Sequence, residues 1–90
     1  MEKAIMLDII KNFQLHKQDS GSPSVVIALL TEQIRETEKF LQKHPDRDVR
    51  LKLIKFIHEK RRLMNYLSTT NVETYQKLEQ KLKKHFGDYL

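Results

Sequence analysis

The sequence contains no cysteine, which excludes disulfide bonds, thiolate-ligated zinc sites and cysteine nucleophiles. It has only 2 glycines and 2 prolines, fewer than the many turns of a β protein require. No apolar run approaches the roughly 20 residues that cross a membrane. Residues 1–10 mix acidic with apolar side chains and lack the pattern of a signal or transit peptide. We therefore expect a helical protein of the cytoplasm.

Motifs that carry catalytic chemistry are missing as well. There is no Gly-rich phosphate loop, no nucleophile elbow and no His-Glu-x-x-His zinc motif. The separations between the four histidines fit no metal site: His16, His44, His58 and His85. Acidic pairs such as Glu36 and Glu38 are too close in sequence to share a helix face. We expect no enzymatic activity, no cofactor and no small-molecule substrate.

The size and composition predict one all-α domain over residues 1–90. At 39% apolar residues, the chain can form a thin helical core but no deep pocket. Ser22 followed by Pro23 is a typical helix start, Pro45 interrupts a second helix, and Thr70 with Glu73 has capping-box spacing. Asp46 or Asp48 can cap the third helix. The four helices are predicted at about 3–15, 23–43, 48–69 and 71–86.

Each helix has an apolar stripe at helical spacing. In the first helix the stripe is Met6, Ile9, Ile10 and Phe13; in the fourth it is Tyr75, Leu78, Leu82 and Phe86. In the second it is Ile27, Leu30, Ile34 and Leu41, widened by Val26, Leu29 and Phe40. Because the first helix is short and followed by a polar loop, we expect it to be loosely attached.

The net charge of +5 is concentrated in one stretch. Residues 47–62 contain seven basic residues and two acidic ones, which give this stretch a net charge of +5. This equals the net charge of the whole chain, so the charges of all other residues sum to zero. The basic residues are Arg47, Arg50, Lys52, Lys55, Lys60, Arg61 and Arg62. Such a cluster indicates an anionic partner, most commonly nucleic acid, although a solvated helix face is an equal alternative.

The third helix separates into two sides when each residue is rotated by about 100°. The predicted core side contains Val49, Leu53, Phe56, Ile57, Lys60, Leu63, Met64 and Leu67. Opposite them lie Leu51, Lys55, His58, Arg62 and Tyr66. A tyrosine among cations suits contacts with RNA sugar, base and phosphate. The alternative is that Tyr66 packs under a neighbouring helix end.

Several motifs resemble the bacterial-type family of small-subunit ribosomal protein fifteen. They are FQLH at 13–16, DSGS at 19–22, VVIALLTEQI at 25–34, EKRRLMNYL at 59–67 and NVETY at 71–75. The resemblance covers essentially the whole chain. It implies four helices, three of them packed lengthwise with a loosely attached first one.

The resemblance also implies a primary rRNA-binding protein that docks on a three-way junction of the central domain. Its expected partners are small-subunit rRNA, neighbouring platform proteins and, at an intersubunit bridge, large-subunit rRNA, with no membrane. It would lie in a cytoplasmic ribosome, and an organellar one stays open. Junction contacts carry over to Ser20, Gly21, Ser22, Arg61, Arg62 and Tyr66, and a second contact to His44 with Asp46 or Asp48. Arg50 and Lys55 complete the predicted RNA-binding set.

The chain departs from the family pattern at two places that bear on these contacts. Val26 stands where the family usually has glutamine, and the turn after His44 is one residue shorter and lacks the family's serine. Two other interpretations of the sequence remain. One is a helical nucleic-acid-binding module outside the ribosome, and the other is an adaptor whose helical seam binds a partner helix.

Overall fold

The computed structural model describes residues 2–14 and 22–87, and this part of the chain contains four α-helices and no strand. They are α1 (Lys3–Phe13), α2 (Pro23–Lys43), α3 (Arg47–Thr70) and α4 (Val72–Phe86). The predicted all-α class is confirmed, and each predicted boundary lies within two residues of the observed one. No described helix is long and apolar enough to cross a membrane.

Side-chain caps explain where three of the helices begin. Ser22 accepts a hydrogen bond from the Val25 N–H at 3.4 Å, with Pro23 in the first turn, as predicted. Asp46, and not Asp48, caps α3, since its carboxylate accepts from the N–H groups of Asp48 and Val49 at 2.8 and 3.2 Å.

The cap of α4 differs from the predicted capping box. Asn71 Oδ1 accepts from the Thr74 N–H at 3.1 Å, whereas the Thr70 hydroxyl donates to the Tyr66 carbonyl at 2.7 Å. Thr70 therefore belongs to the last turn of α3, and its side chain is already used there. Glu73 pairs instead with Lys77 at 3.1 Å. Only Asn71 separates α3 from α4, so the two helices meet in a tight corner.

The core joins all four helices at one end of α2. Its buried side chains are Ile9, Phe13, Val25, Ile27, Ala28, Leu67, Leu78 and Leu82. The buried residues of α2 all lie between Ser24 and Ile34, whereas the rest of that helix is half-buried or exposed. The second half of α2 thus packs with the first half of α3 as a two-helix arm that extends beyond the core.

The first helix is packed into this core, which differs from the expected loose attachment. Ile9 and Phe13 are 0% and 1% exposed. The Phe13 ring lies edge-on to His85 at 5.5 Å and stacks on Phe86 at 6.3 Å between centroids. These contacts connect the last turn of α1 to the last turn of α4. Met6, which was predicted on the same stripe, lies outside the contact and is 37% exposed.

The arm also leaves one predicted packing residue in solvent. Phe40 is 46% exposed, and its ring lies 5.2 Å from that of His44. The residue therefore does not widen the α2 seam as the apolar pattern predicted. It lies on α2 beyond the buried stretch that ends at Ile34, where α1 and α4 no longer cover the helix.

A carboxylate is buried in the middle of α2, and the hydrophobic pattern of this helix does not predict it. Glu32 is 2% exposed, and Arg35 binds both of its oxygens, with the Nε bond at 3.0 Å. A bidentate guanidinium compensates the charge that burial would otherwise penalise. The pair lies beside His85 and Phe86, so it belongs to the same α2–α4 contact as the aromatic cluster.

Lys60 provides the first testable prediction. It lies half-buried on the core side of α3, and desolvation lowers its pKa from the ordinary value of 10.5. The charged form is therefore penalised in the folded state at neutral pH, and this penalty disappears as pH rises towards 10.5. Lys60→Met should raise the free energy of unfolding by up to about 1 kcal/mol at neutral pH.

Urea unfolding at neutral and alkaline pH measures this difference. The advantage of Lys60→Met over the parent protein should narrow as the pH increases. Lys55→Met is the matched control, because Lys55 is exposed on the opposite side of the same helix. A destabilised Lys60→Met protein, or equal gains in both variants, would contradict the assigned desolvation.

Candidate nucleic-acid interface

The outer side of α3 presents a basic and aromatic surface. We call it the α3 face and define it by Lys55, His58, Arg62 and Tyr66, all of which are exposed. The core-side residues predicted for this helix are all half-buried or buried, so the α3 face points away from the core. The predicted division of α3 into two sides is therefore confirmed.

Tyr66 is the most informative residue of the α3 face. It is 57% exposed, so it does not pack under a neighbouring helix end. Its backbone carbonyl accepts hydrogen bonds from the hydroxyls of Thr69 and Thr70, which fixes the helix beneath the ring. An exposed aromatic plane one turn from Arg62 can stack on a base or a ribose while the guanidinium binds phosphate.

A shallow groove accompanies the cations of the face. It is lined by Ile54, Lys55, His58, Glu59 and Arg62. Ile54 is 44% exposed, so the groove has an apolar wall beside its charged rim. His58 is predicted on this side of α3, but it is not among the residues predicted to bind RNA. Its helical position between Lys55 and Arg62 was the available signal.

The remaining basic residues of α3 point in other directions. Arg50 and Arg61 are exposed but turned by roughly 105–125° from the centre of the face. Lys60 is turned towards the core. Within residues 2–14 and 22–87, no lysine or arginine of α3 forms an ion pair with an acidic side chain. The positive charge of the helix is therefore available to a partner.

The α2–α3 turn contains the predicted second contact. His44 ends α2, where its N–H donates to the Phe40 carbonyl and its ring lies against the Phe40 ring. Asp46 uses one oxygen to cap α3, whereas Asp48 is exposed in the first turn and its carboxylate accepts no hydrogen bond within the described residues. Of the two, Asp48 is better placed for an external contact.

The loop before α2 is only partly described. Ser20 and Gly21, two predicted junction residues, lie outside the described residues. Ser22 is described, and it serves as the N-cap of α2. Because α2 and α3 run antiparallel around a short turn, Ser22 lies at the same end of the bundle as Tyr66. Val25 and Leu67, their neighbours in sequence, share the core there.

The candidate residues thus form two groups at opposite ends of α3. Ser22, Arg61, Arg62 and Tyr66 belong to the end that holds the core, whereas His44, Asp46 and Asp48 belong to the tip of the arm. Asp48 and Tyr66 are 18 positions apart on one helix, a separation of about 27 Å. Lys55 lies between the two groups. Within the described residues, no group of three or more metal-ligating side chains occurs.

A family model and individual known proteins match this chain over most of its length, and they all belong to one family. The family model described as "Ribosomal protein S15" matches residues 7–85. The chain is 41% identical over 83 residues to the small ribosomal subunit protein uS15 of Chlamydia abortus, covering 91% of this chain and 93% of that protein. It is 42% identical over 79 residues to the uS15 proteins of Chlamydia trachomatis serovar L2 and Chlamydia pneumoniae, covering 87% of this chain and 89% of theirs.

Proposed function

The chain belongs to the ribosomal protein S15 family, and from this premise we propose that it binds small-subunit rRNA at a three-way junction of the central domain. As a member of that family it is a structural constituent of the small ribosomal subunit. The observation that carries the proposed junction contact is the α3 face, with its exposed Tyr66 and its unpaired cations.

The two groups of residues support a two-point contact with RNA. Arg61, Arg62 and Tyr66, together with the loop that ends at Ser22, would hold the junction. His44 and Asp48 at the tip of the arm would contact an adjoining helix about 27 Å away. A rigid protein that contacts two helices at a fixed separation favours one junction geometry among several, and its binding energy then stabilises that geometry.

Family membership extends the proposal to assembly. By ordering the junction, the protein would prepare the platform of the small subunit for other proteins. It would also face large-subunit rRNA at an intersubunit bridge. This role needs only complementary shape and charge, which a small helical protein with cations along one helix provides.

Sedimentation of a DNase-treated lysate that contains the tagged protein tests the proposal. We expect the protein to migrate with small ribosomal subunits at low and at high salt, and to be released by RNase. A DNA-binding module would migrate at the top of the gradient, and a protein-interaction adaptor would be insensitive to RNase. Complete release by high salt would also contradict the proposal, because it indicates loose electrostatic binding only.

A further inference from the structure

A groove runs along α4 where this helix faces the end of α1 and the start of α2. One part is lined by Asn12, Phe13, Lys81, Lys84 and His85. The adjoining part is lined by Phe13, Ser24, Thr74, Lys77, Leu78 and Lys81. Phe13 and Lys81 line both parts, so the two lie next to each other along α4. Among the described residues, α3 contributes nothing to the lining of this groove.

Three lysines of α4 form one edge of the groove. We call Lys77, Lys81 and Lys84 the α4 lysine stripe; their spacing of four and three residues places them within about a 60° arc of the helix. All three are exposed. Lys77 pairs with Glu73 at 3.1 Å, but both side chains are at least 70% exposed, so the pair contributes little.

The other two lysines have no acidic neighbour in the described structure. Neither Lys81 nor Lys84 forms an ion pair within residues 2–14 and 22–87, and no aspartate or glutamate lines either part of the groove. Cations on an ordinary solvated helix face are usually interspersed with acids. Here they follow one concave surface, which concentrates their potential.

The other lining groups indicate which anion fits. Asn12 offers an amide, and Ser24 and Thr74 offer hydroxyls, which are donors and acceptors suited to phosphate and ribose oxygens. Phe13 forms an apolar floor that is 1% exposed. Lysines bind phosphates as mobile point charges without reading sequence. The lining therefore favours a phosphodiester backbone over an acidic peptide, because hydroxyl and amide groups flank the cations along the groove.

We propose that the α4 lysine stripe and its groove bind the phosphate backbone of a second segment of small-subunit rRNA, separate from the segment held by the α3 face. The inference rests on the proposed function for the identity of the RNA. The α3 face points away from the core, whereas the groove lies between α4, α1 and α2, so both surfaces can be occupied together. The protein would then hold RNA on two sides of the bundle, with the groove adding a contact to those proposed for α3 and the α2–α3 turn.

The dependence of RNA affinity on salt tests the stripe. The probe is a transcript of the central domain of small-subunit rRNA. Each lost phosphate contact reduces the slope of log affinity against log salt by about 0.9 on a duplex. Lys81→Gln should lower the slope by about 1, and the triple variant Lys77→Gln, Lys81→Gln, Lys84→Gln by about 2–3.

Lys83→Gln is the matched control. Lys83 is an exposed lysine on the same helix, turned about 200° from Lys81, so its loss should leave the slope unchanged. Equal slopes for the parent, the triple variant and the control would overturn the inference. If α3-face variants still weaken binding in that case, the proposed function stands without it. If the stripe binds an acidic protein instead of RNA, the parent, the triple variant and the control would have equal salt slopes. The triple variant would then be missing from assembled subunits.

Site-directed cleavage tests whether the two RNA segments are separate. Since the sequence has no cysteine, one introduced cysteine is a unique attachment point for an iron chelate. Gln80→Cys lies beside the stripe and Asn65→Cys beside the α3 face, and both positions are exposed. The two chelates should cleave the rRNA at different sites. Identical cleavage patterns, or none from position 80, would overturn the inference.

Discussion

Replacing Phe13 with alanine is expected to destabilise the folded protein by about 3–5 kcal/mol. The ring is 1% exposed and contacts both aromatic rings at the end of α4, His85 and Phe86. Its removal leaves a cavity where α1 meets α4, and Ile9 loses its neighbour in the core. Thermal and urea unfolding followed by circular dichroism would measure the loss.

Met6→Ala is the control for this prediction. Met6 lies on the same helix but is 37% exposed, so its truncation should change the free energy of unfolding by only about 0.5 kcal/mol. The comparison decides how α1 is attached. If Phe13→Ala costs as little as Met6→Ala, the first helix is not part of the core and the loose attachment expected from the sequence holds.

The long third helix shows what the sequence could predict. Its 24 residues contain no glycine or proline, so the angular position of each side chain follows from its number alone. Periodicity therefore separated the core side, ending at Leu67, from the side that carries Arg62 and Tyr66. The caps at Ser22 and Asp46 were also accessible, since they depend on neighbours only two or three positions away.

The features of the fold that the sequence did not predict depend on contacts between residues far apart in the chain. Whether α1 is attached depends on His85 and Phe86, more than 70 positions away, and neither the length of α1 nor the polarity of its loop reports on them. Phe40 has the right spacing for the α2 seam, but the helices that cover the first half of α2 do not reach it. An apolar stripe predicts which side of a helix is buried, but it does not predict how far along the helix the packing partner extends.

The net charge of the chain likewise does not predict the basic surface on α4. The charges of the residues outside 47–62 sum to zero, so net charge predicts no second basic surface. In the structure, Lys81 and Lys84 line a groove to which no acid of residues 2–14 and 22–87 contributes. A net charge adds residues irrespective of their direction, whereas a partner meets only those on one side.

On the α3 face, the double variant Arg62→Ala, Tyr66→Ala should lose between about 2 and 6 kcal/mol of binding energy for a three-way-junction RNA. A specific arginine contact contributes about 1–3 kcal/mol, and stacking of a base on an aromatic ring contributes a similar amount. Both side chains are exposed, so the stability of the fold should change by no more than about 0.5 kcal/mol per substitution. Filter binding with junction RNA and with a plain duplex would measure the effect.

Conservative variants separate the two contributions to that loss. Tyr66→Phe keeps the ring and should retain most of the affinity if the ring stacks on RNA, whereas Tyr66→Ala should not. Arg62→Lys keeps the charge but loses the planar guanidinium, so it should preserve the salt dependence while weakening the preference for the junction over the duplex. Lys83→Ala, an exposed cation on α4 outside both surfaces, should bind both RNAs as the parent does. A folded double variant with parental affinity for the junction would show that the α3 face is not the RNA interface.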